Sequence, residues 1–320
     1  MLTHHGREAA VAAATLILAA VLGLIAPDFF TAGNFRDLFL ANLPVLIIAL
    51  GMTFLIVTGE IDISIGSAFA VCGVAAGTLA KLQLPIPVVV VVTCACGALL
   101  GAVNGWLTAR VQVPSIVVTL AMMIGLRDAL RWVTEGTWVQ DLPAHFQWLG
   151  FSQRAYPIVV AGIAMLLVIG FEWASRNIAV VRALYATGSN TLAARLAGID
   201  TGRMKLGAFV SVGALTGLAA LLNSARFNQI PINAGLGLEM KVIAAVVIGG
   251  ASIAGGRGTV PGTVLGVMLL AAIGPALTYL GVSAYWERAA QGGIILLAVA
   301  LDAVGSYARD YASHAAPAQA

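Results

Sequence analysis

Two carboxylates set in apolar surroundings, Glu60 and Asp62, are the side chains of this sequence best suited to do chemistry. They stand in Gly59-Glu60-Ile61-Asp62-Ile63-Ser64-Ile65-Gly66-Ser67, between two stretches greasy enough to enter a bilayer. Charge near a membrane interior is costly, so acids alternating with isoleucines point to a polar cavity or a pathway. The plain alternative is a turn in which both acids face water. On the first reading Glu60, Asp62, Ser64 and Gly66 line or gate a translocation path.

A second polar stretch, Ile248-Gly249-Gly250-Ala251-Ser252-Ile253-Ala254-Gly255-Gly256-Arg257-Gly258-Thr259, is rich enough in glycine to suggest a phosphate cradle. A nucleotide loop needs Gly-x4-Gly-Lys-Ser/Thr after a strand, and no lysine occupies the key place. A helix interruption fits better. The stretch echoes the first one: apolar span, glycine, a Ser-Ile pair, glycine, apolar span. Paired glycine-broken segments in two regions of a transporter point to its substrate path, which adds Ser252 and Gly255 to the candidates.

No catalytic set stands out. His4, His5, His145 and His314 lie in tails or a loop rather than in a span, which argues against a proton relay or a membrane metalloenzyme. Cys72, Cys94 and Cys96 sit in apolar runs without Cys-x-x-Cys spacing and read as small core residues. No cofactor or metal is expected. Acids within spans are too few for an obvious ion-coupled carrier, so the energy for transport should come from another subunit.

The elements that must position these residues are membrane helices. Of 320 residues 60% are hydrophobic and only 10% charged, against roughly a quarter charged in soluble chains. Mean hydropathy is +0.96. These values predict an all-α, polytopic transmembrane bundle forming one domain over 1–320. The net charge of +3 is too small and scattered for a nucleic-acid partner. Apolar runs predict ten spans near 9–26, 41–58, 66–80, 85–109, 113–126, 156–173, 206–224, 242–256, 259–281 and 289–305, with both termini cytoplasmic. A secretory signal is the other reading of the first run, which is long for one and lacks a clear cleavage site. Several spans fall short of the roughly 20 residues that cross a bilayer upright, so half-helices or tilts are expected. Gly73-x3-Gly77, Gly97-x3-Gly101-x3-Gly105, Gly213-x3-Gly217 and Gly262-x3-Gly266 predict close helix contacts. Residues 31–40 read as an interfacial turn. Residues 127–155 read as a periplasmic loop whose Trp132, Trp138 and Trp148 form an interface belt or a docking surface.

Lys and Arg divide almost evenly between the two sides of this scheme, so orientation rests on residues 174–205. That island carries Arg176, Arg182, Arg195, Arg203 and Lys205 against Asp200, and the positive-inside rule keeps it cytoplasmic. Within it Asn190 can cap a helix, Gly198 suits a left-handed terminator, and Leu192, Leu196 and Ile199 share a face. That stripe either tucks under its own domain or into lipid headgroups, or docks into a groove of a cytoplasmic protein.

Several motifs carry a resemblance. They are Gly59 to Ser67, Pro114-Ser115-Ile116-Val117-Val118-Thr119-Leu120, Tyr185-Ala186-Thr187-Gly188-Ser189-Asn190 running into Ala193 to Ile199, Gly237 to Gly250, and Ala284-Tyr285-Trp286. In this order, over nearly the whole chain, they resemble the permease subunits of bacterial monosaccharide ABC importers. Gln229-Ile230-Pro231 through Lys241 is most similar to the ribose, rhamnose and autoinducer-2 branch. The resemblance implies an inner-membrane permease paired with a second copy or a related permease, an ATPase dimer that binds the ATP, and a periplasmic sugar-binding protein. It implies that Ala193, Ala194, Arg195, Leu196, Gly198 and Ile199, with Leu192 beside them, couple to the ATPase. Two departures stand out: Thr191 and Leu192 replace acids usual in the family, and Glu60 adds a charge where relatives often have glycine. A branched-chain amino-acid permease and an ion-driven secondary carrier are the rival readings.

Overall fold

The computed structural model describes residues 2–279 and, beyond them, only positions 281, 286, 289, 292, 293 and 296. The span expected at 289–305, most of the Ala284-Tyr285-Trp286 motif and the C-terminus lie outside the described residues. The described chain is helical: α1 (Leu2–Ile25), α2 (Ala32–Val57), α3 (Ile65–Lys81), α4 (Ile86–Ala109), α5 (Ser115–Val133), α6 (Tyr156–Asn177), α7 (Ala179–Ser189), α8 (Thr191–Leu196), α9 (Thr201–Ser224), α10 (Leu238–Ile248) and α11 (Val260–Tyr279).

Helix α2 is apolar all round, and such a helix must be surrounded by protein. From Ile47 to Val57 every residue is buried, against α9, α10, α11, α6 and α7. Residues 31–40 are not the interfacial turn expected of them. Thr31 caps α2 by accepting the Asn34 N–H at 3.3 Å, and the helix continues from Ala32 through Pro44. Helix α5 likewise runs on to Val133, so the long loop begins at Thr134 rather than at 127.

Among the described residues, six helices are long and apolar enough to cross a membrane: α1 from Glu8, α2, α4, α6, α9 and α11. Helix α3 is apolar but has 17 residues. Helix α10, with 11 residues, is only about 16 Å long and cannot cross a core of about 30 Å.

The small-residue motifs are packing seams. A Cβ on Gly97 would lie 2.1 Å from the Gly213 carbonyl oxygen, and one on Gly213 would lie 2.1 Å from that of Gly97. Gly101 meets the Phe209 carbonyl in the same way, and Gly105 packs against the Phe209 Cβ and Leu206, so α4 and α9 approach closely along a shared seam. Gly262 and Gly266 do the same against Gly249 and Ala245, joining α11 to α10. The bundle therefore has two distinct ends. One carries the basic island with the polar breaks after α2 and α10. The other carries residues 134–155 and 225–230, tied together by the antiparallel bridge Val139–Ile230 and by Gln147 Nε2 donating to Asn228 Oδ1 at 2.9 Å, from where the chain runs inward along α3 until Gly235 meets Gly66.

Candidate functional site

The island folds as two short helices laid end to end. Asn190 leaves α7 in an extended conformation, and its Oδ1 accepts the Ala193 N–H at 2.9 Å, starting α8. The helix stops after Leu196. Gly198, at φ 83°, lets its own N–H reach Arg195 and the Ile199 N–H reach Ala194, both at 3.0 Å, a left-handed helix terminator that needs a residue without Cβ. Ile199 therefore lies beyond the helix, half-buried, and does not continue the expected stripe.

Leu192 and Leu196 are 70% and 83% exposed, while Ala194 turns inward. Two leucines held in the open on a capped helix are not tucked under their own domain. Arg195 Nε donates to Thr201 Oγ1 at 3.0 Å, tying α8 to the start of α9. There Asp200 caps α9 by accepting the Arg203 N–H at 3.0 Å, and that hydrogen bond holds its carboxyl below the usual carboxylate range.

The two polar breaks, nearly 200 positions apart in sequence, meet beneath this island. The Gly256 N–H donates to the Val57 carbonyl at 2.8 Å, and Tyr185 Oη on α7 donates to the Gly258 carbonyl at 2.7 Å. Gly188, in the last turn of α7, fits between them: a Cβ there would fall 1.8 Å from the Val57 oxygen and 2.8 Å from the Gly256 nitrogen. Gly255 also packs on Gly188 and Gly59, a Cβ there lying 2.9 Å from the Gly188 carbonyl oxygen and 3.1 Å from the Gly59 nitrogen. The helix that leads into α8 thus rests, through bare backbone, on both breaks at once.

Glu60 and Asp62 have different surroundings although only one residue separates them. Glu60 receives Lys205 Nζ of α9 at 2.5 Å, with the two side chains 12% and 23% exposed. The charge that departs from the family pattern is therefore neutralised from the foot of α9. Asp62 is 3% exposed, which rules out a solvated turn. Its Oδ1 accepts the Ser64 N–H at 2.8 Å and the Ser64 hydroxyl at 2.6 Å, and Asn104 Nδ2 donates to Asp62 Oδ2 at 3.1 Å and to Ser64 Oγ at 2.9 Å. This knot binds the first break to α4.

Gly66 stands apart from the junction. It faces the Gly235 carbonyl and the Glu239 carboxylate, at the level where the chain enters α10. Ser252 lies in the junction's second loop, its N–H on the Arg257 carbonyl at 3.1 Å. A cavity of about 250 Å³ lies between Glu60, Lys205, Arg195, Thr108 and Ser115, directly under the island. Gly188, Asn104 and Lys205 were not singled out by sequence for these roles. Asn104, an amide inside an apolar helix, was the one with a visible signal.

Residues 35–299 match the family described as "Branched-chain amino acid transport system / permease component". The chain is 34% identical over 299 residues to the ribose import permease protein RbsC of Escherichia coli K12, covering 90% of this chain and 91% of that one. It is 32% identical over 298 residues to the autoinducer 2 import system permease protein LsrC of Yersinia pseudotuberculosis, covering 93% and 85%. No solved structure matches it.

Proposed function

The chain belongs to the family of branched-chain amino acid transport system permease components, and from that premise we propose that it is the membrane subunit of an ABC importer for a monosaccharide. It is a multi-pass protein of the bacterial inner membrane, with the island in the cytoplasm, the loop from 134 to 155 in the periplasm and both termini cytoplasmic. About ten spans complete the bundle. It pairs with a second permease, homo- or heterodimeric, takes sugar from a periplasmic binding protein and has no ATP site of its own. Cytoplasmic ATPase subunits grip α8 by Leu192 and Leu196.

The observation that carries this reading is mechanical. A helix with two exposed leucines is fixed, through α7 and Gly188, to the meeting point of both polar breaks. When the ATPases close on ATP they move α8, and the displacement arrives at Val57–Gly59 and Gly255–Gly256 together. The breaks then open or shut the path by alternating access. Work of this kind needs no covalent chemistry on the subunit.

Sugar is preferred to amino acid because relatives named for ribose and autoinducer 2 import align over most of both chains. The test is uptake of labelled D-ribose by cells carrying the chain with its ATPase and binding protein, competed by unlabelled sugars and by leucine. Competition by sugars alone supports the reading; competition by leucine alone makes this an amino-acid permease. Uptake into liposomes by the purified chain, driven by an ion gradient without ATPase, would make it a secondary carrier.

A further inference from the structure

The end of the bundle opposite the island holds a cleft that the coupling mechanism does not use. Its volume is about 300 Å³, at the lower end of the range for small-molecule pockets. Trp138 and Phe227, both nearly half exposed, stand at its mouth, and Phe69 and Gly235 lie at its floor. Phe69 lies about one turn into α3, which places the floor near the inner end of that helix. That floor abuts the first polar break: a Cβ on Gly235 would lie 2.5 Å from the Gly66 carbonyl oxygen.

The polar lining is unspent. Among the described residues, the side-chain amides of Asn223 and Gln229, the Ser224 hydroxyl and the Trp138 indole N–H make no hydrogen bond to protein, although Ser224 is only 4% exposed. Asn223 is half-buried and Gln229 and Trp138 are exposed, so these groups are open to a ligand that enters the cleft. Among the described residues no charged side chain lines the cleft, although the Arg226 guanidinium lies over the Phe227 ring, 5.3 Å from its centroid. A zwitterionic amino acid would leave its ammonium without a counter-charge in this lining, a heavy desolvation cost. A neutral polyol ring has what the lining lacks. Its hydroxyls both donate and accept, matching two amides and a hydroxyl, and its C–H face carries slight positive charge toward the negative faces of Trp138 and Phe227.

We propose that this cleft is a monosaccharide station on the periplasmic half of the path, with Asn223, Ser224 and Gln229 holding hydroxyls and Trp138 and Phe227 holding the ring face. The Gly66–Gly235 contact closes its inner end. This proposal rests on the sugar reading above, and its test separates the two. Gln229 is exposed, so Gln229→Cys should leave the fold intact. In the assembled transporter, D-ribose in excess should slow labelling of that cysteine by a membrane-impermeant maleimide at least about fivefold, the protection that about four-fifths occupancy gives. The pair Asn223→Ala and Gln229→Ala should accumulate normally and lower maximal D-ribose uptake about tenfold. ATP hydrolysis stimulated by the loaded binding protein should persist, because the island is untouched. Unprotected labelling together with unchanged maximal uptake, in a transporter whose wild type does import D-ribose, overturns the station and leaves the sugar reading standing. A wild type whose uptake responds to leucine and to no sugar overturns both.

Discussion

The seam between α4 and α9 and the junction beneath the island are both built on glycine, for opposite purposes. In the seam Gly97, Gly101 and Gly213 have ordinary helical backbones, and the missing Cβ lets two rods touch over their length. In the junction Gly59, Gly255 and Gly256 have φ of 83°, 90° and 73°, so the missing Cβ permits a backbone that other residues rarely adopt. The seam has no slack. The junction is held by hydrogen bonds from backbone and from Tyr185, Ser64 and Asn104 and by one ion pair, directional contacts that can be exchanged where the continuous helix packing of the seam cannot. The contrast separates the part of the bundle that has to stay rigid from the part through which motion of α8 can enter.

Substitutions can break that contrast at either end. The largest effect belongs to the seam. Gly213→Leu drives a side chain into the Gly97 carbonyl, and overpacking against unyielding backbone costs about 3 kcal/mol or more. The chain should vanish from membranes on an immunoblot; wild-type abundance would mean that the seam yields. Leu196→Asp should leave abundance intact while uptake falls at least about tenfold and ATP hydrolysis ceases to follow it, as for the loss of an interface anchor. Normal uptake by that variant removes α8 from the coupling scheme.

Asp62→Ala comes next. It strips the Ser64 N–H, the Ser64 hydroxyl and Asn104 of their common acceptor, costing about 2–3 kcal/mol. Transport should drop in a protein that still assembles but melts earlier in detergent; full activity would make the knot mere scaffolding. The smallest effect is expected at the half-buried pair. Glu60→Gln or Lys205→Met should each cost about 1 kcal/mol and slow uptake severalfold, and the exchanged pair Glu60→Lys with Lys205→Glu should recover most of it. Failure of the exchange to recover any activity would show that position, rather than mutual charge, is what matters there.

Local signals in the sequence were enough for the seams, the α8 cap and its terminator. Gly-x3-Gly spacing, an Asn at the start and a Gly past the end each act within a turn or two of helix. The echo between residues 60–67 and 249–258 was legible as a pattern, but its meaning was not. That the breaks touch, and that Gly188 lies between them, follows from how α2, α7 and α10 pack, and no window of sequence contains all three. The burial of Asp62 was not legible either, because it depends on Asn104 of α4, 42 positions away. Residues 31–40 misled for a different reason. Asn34, Arg36 and Asp37 look like a turn, yet Thr31 caps them into the first turns of α2. The three tryptophans of the far end have separate surroundings as well: Trp132 is 83% exposed on α5, Trp138 stands at the mouth of a cleft and Trp148 packs edge-on against Tyr156.

The central claim is that α8 presents Leu196 to a cytoplasmic motor. Its most direct test is Leu196→Cys in a chain whose Cys72, Cys94 and Cys96 are replaced by alanine, probed with a membrane-impermeant thiol reagent. Labelling should occur in inside-out vesicles, be absent in intact spheroplasts and be blocked when the ATPase is bound. A cysteine at 196 that reacts from the periplasmic face contradicts the account.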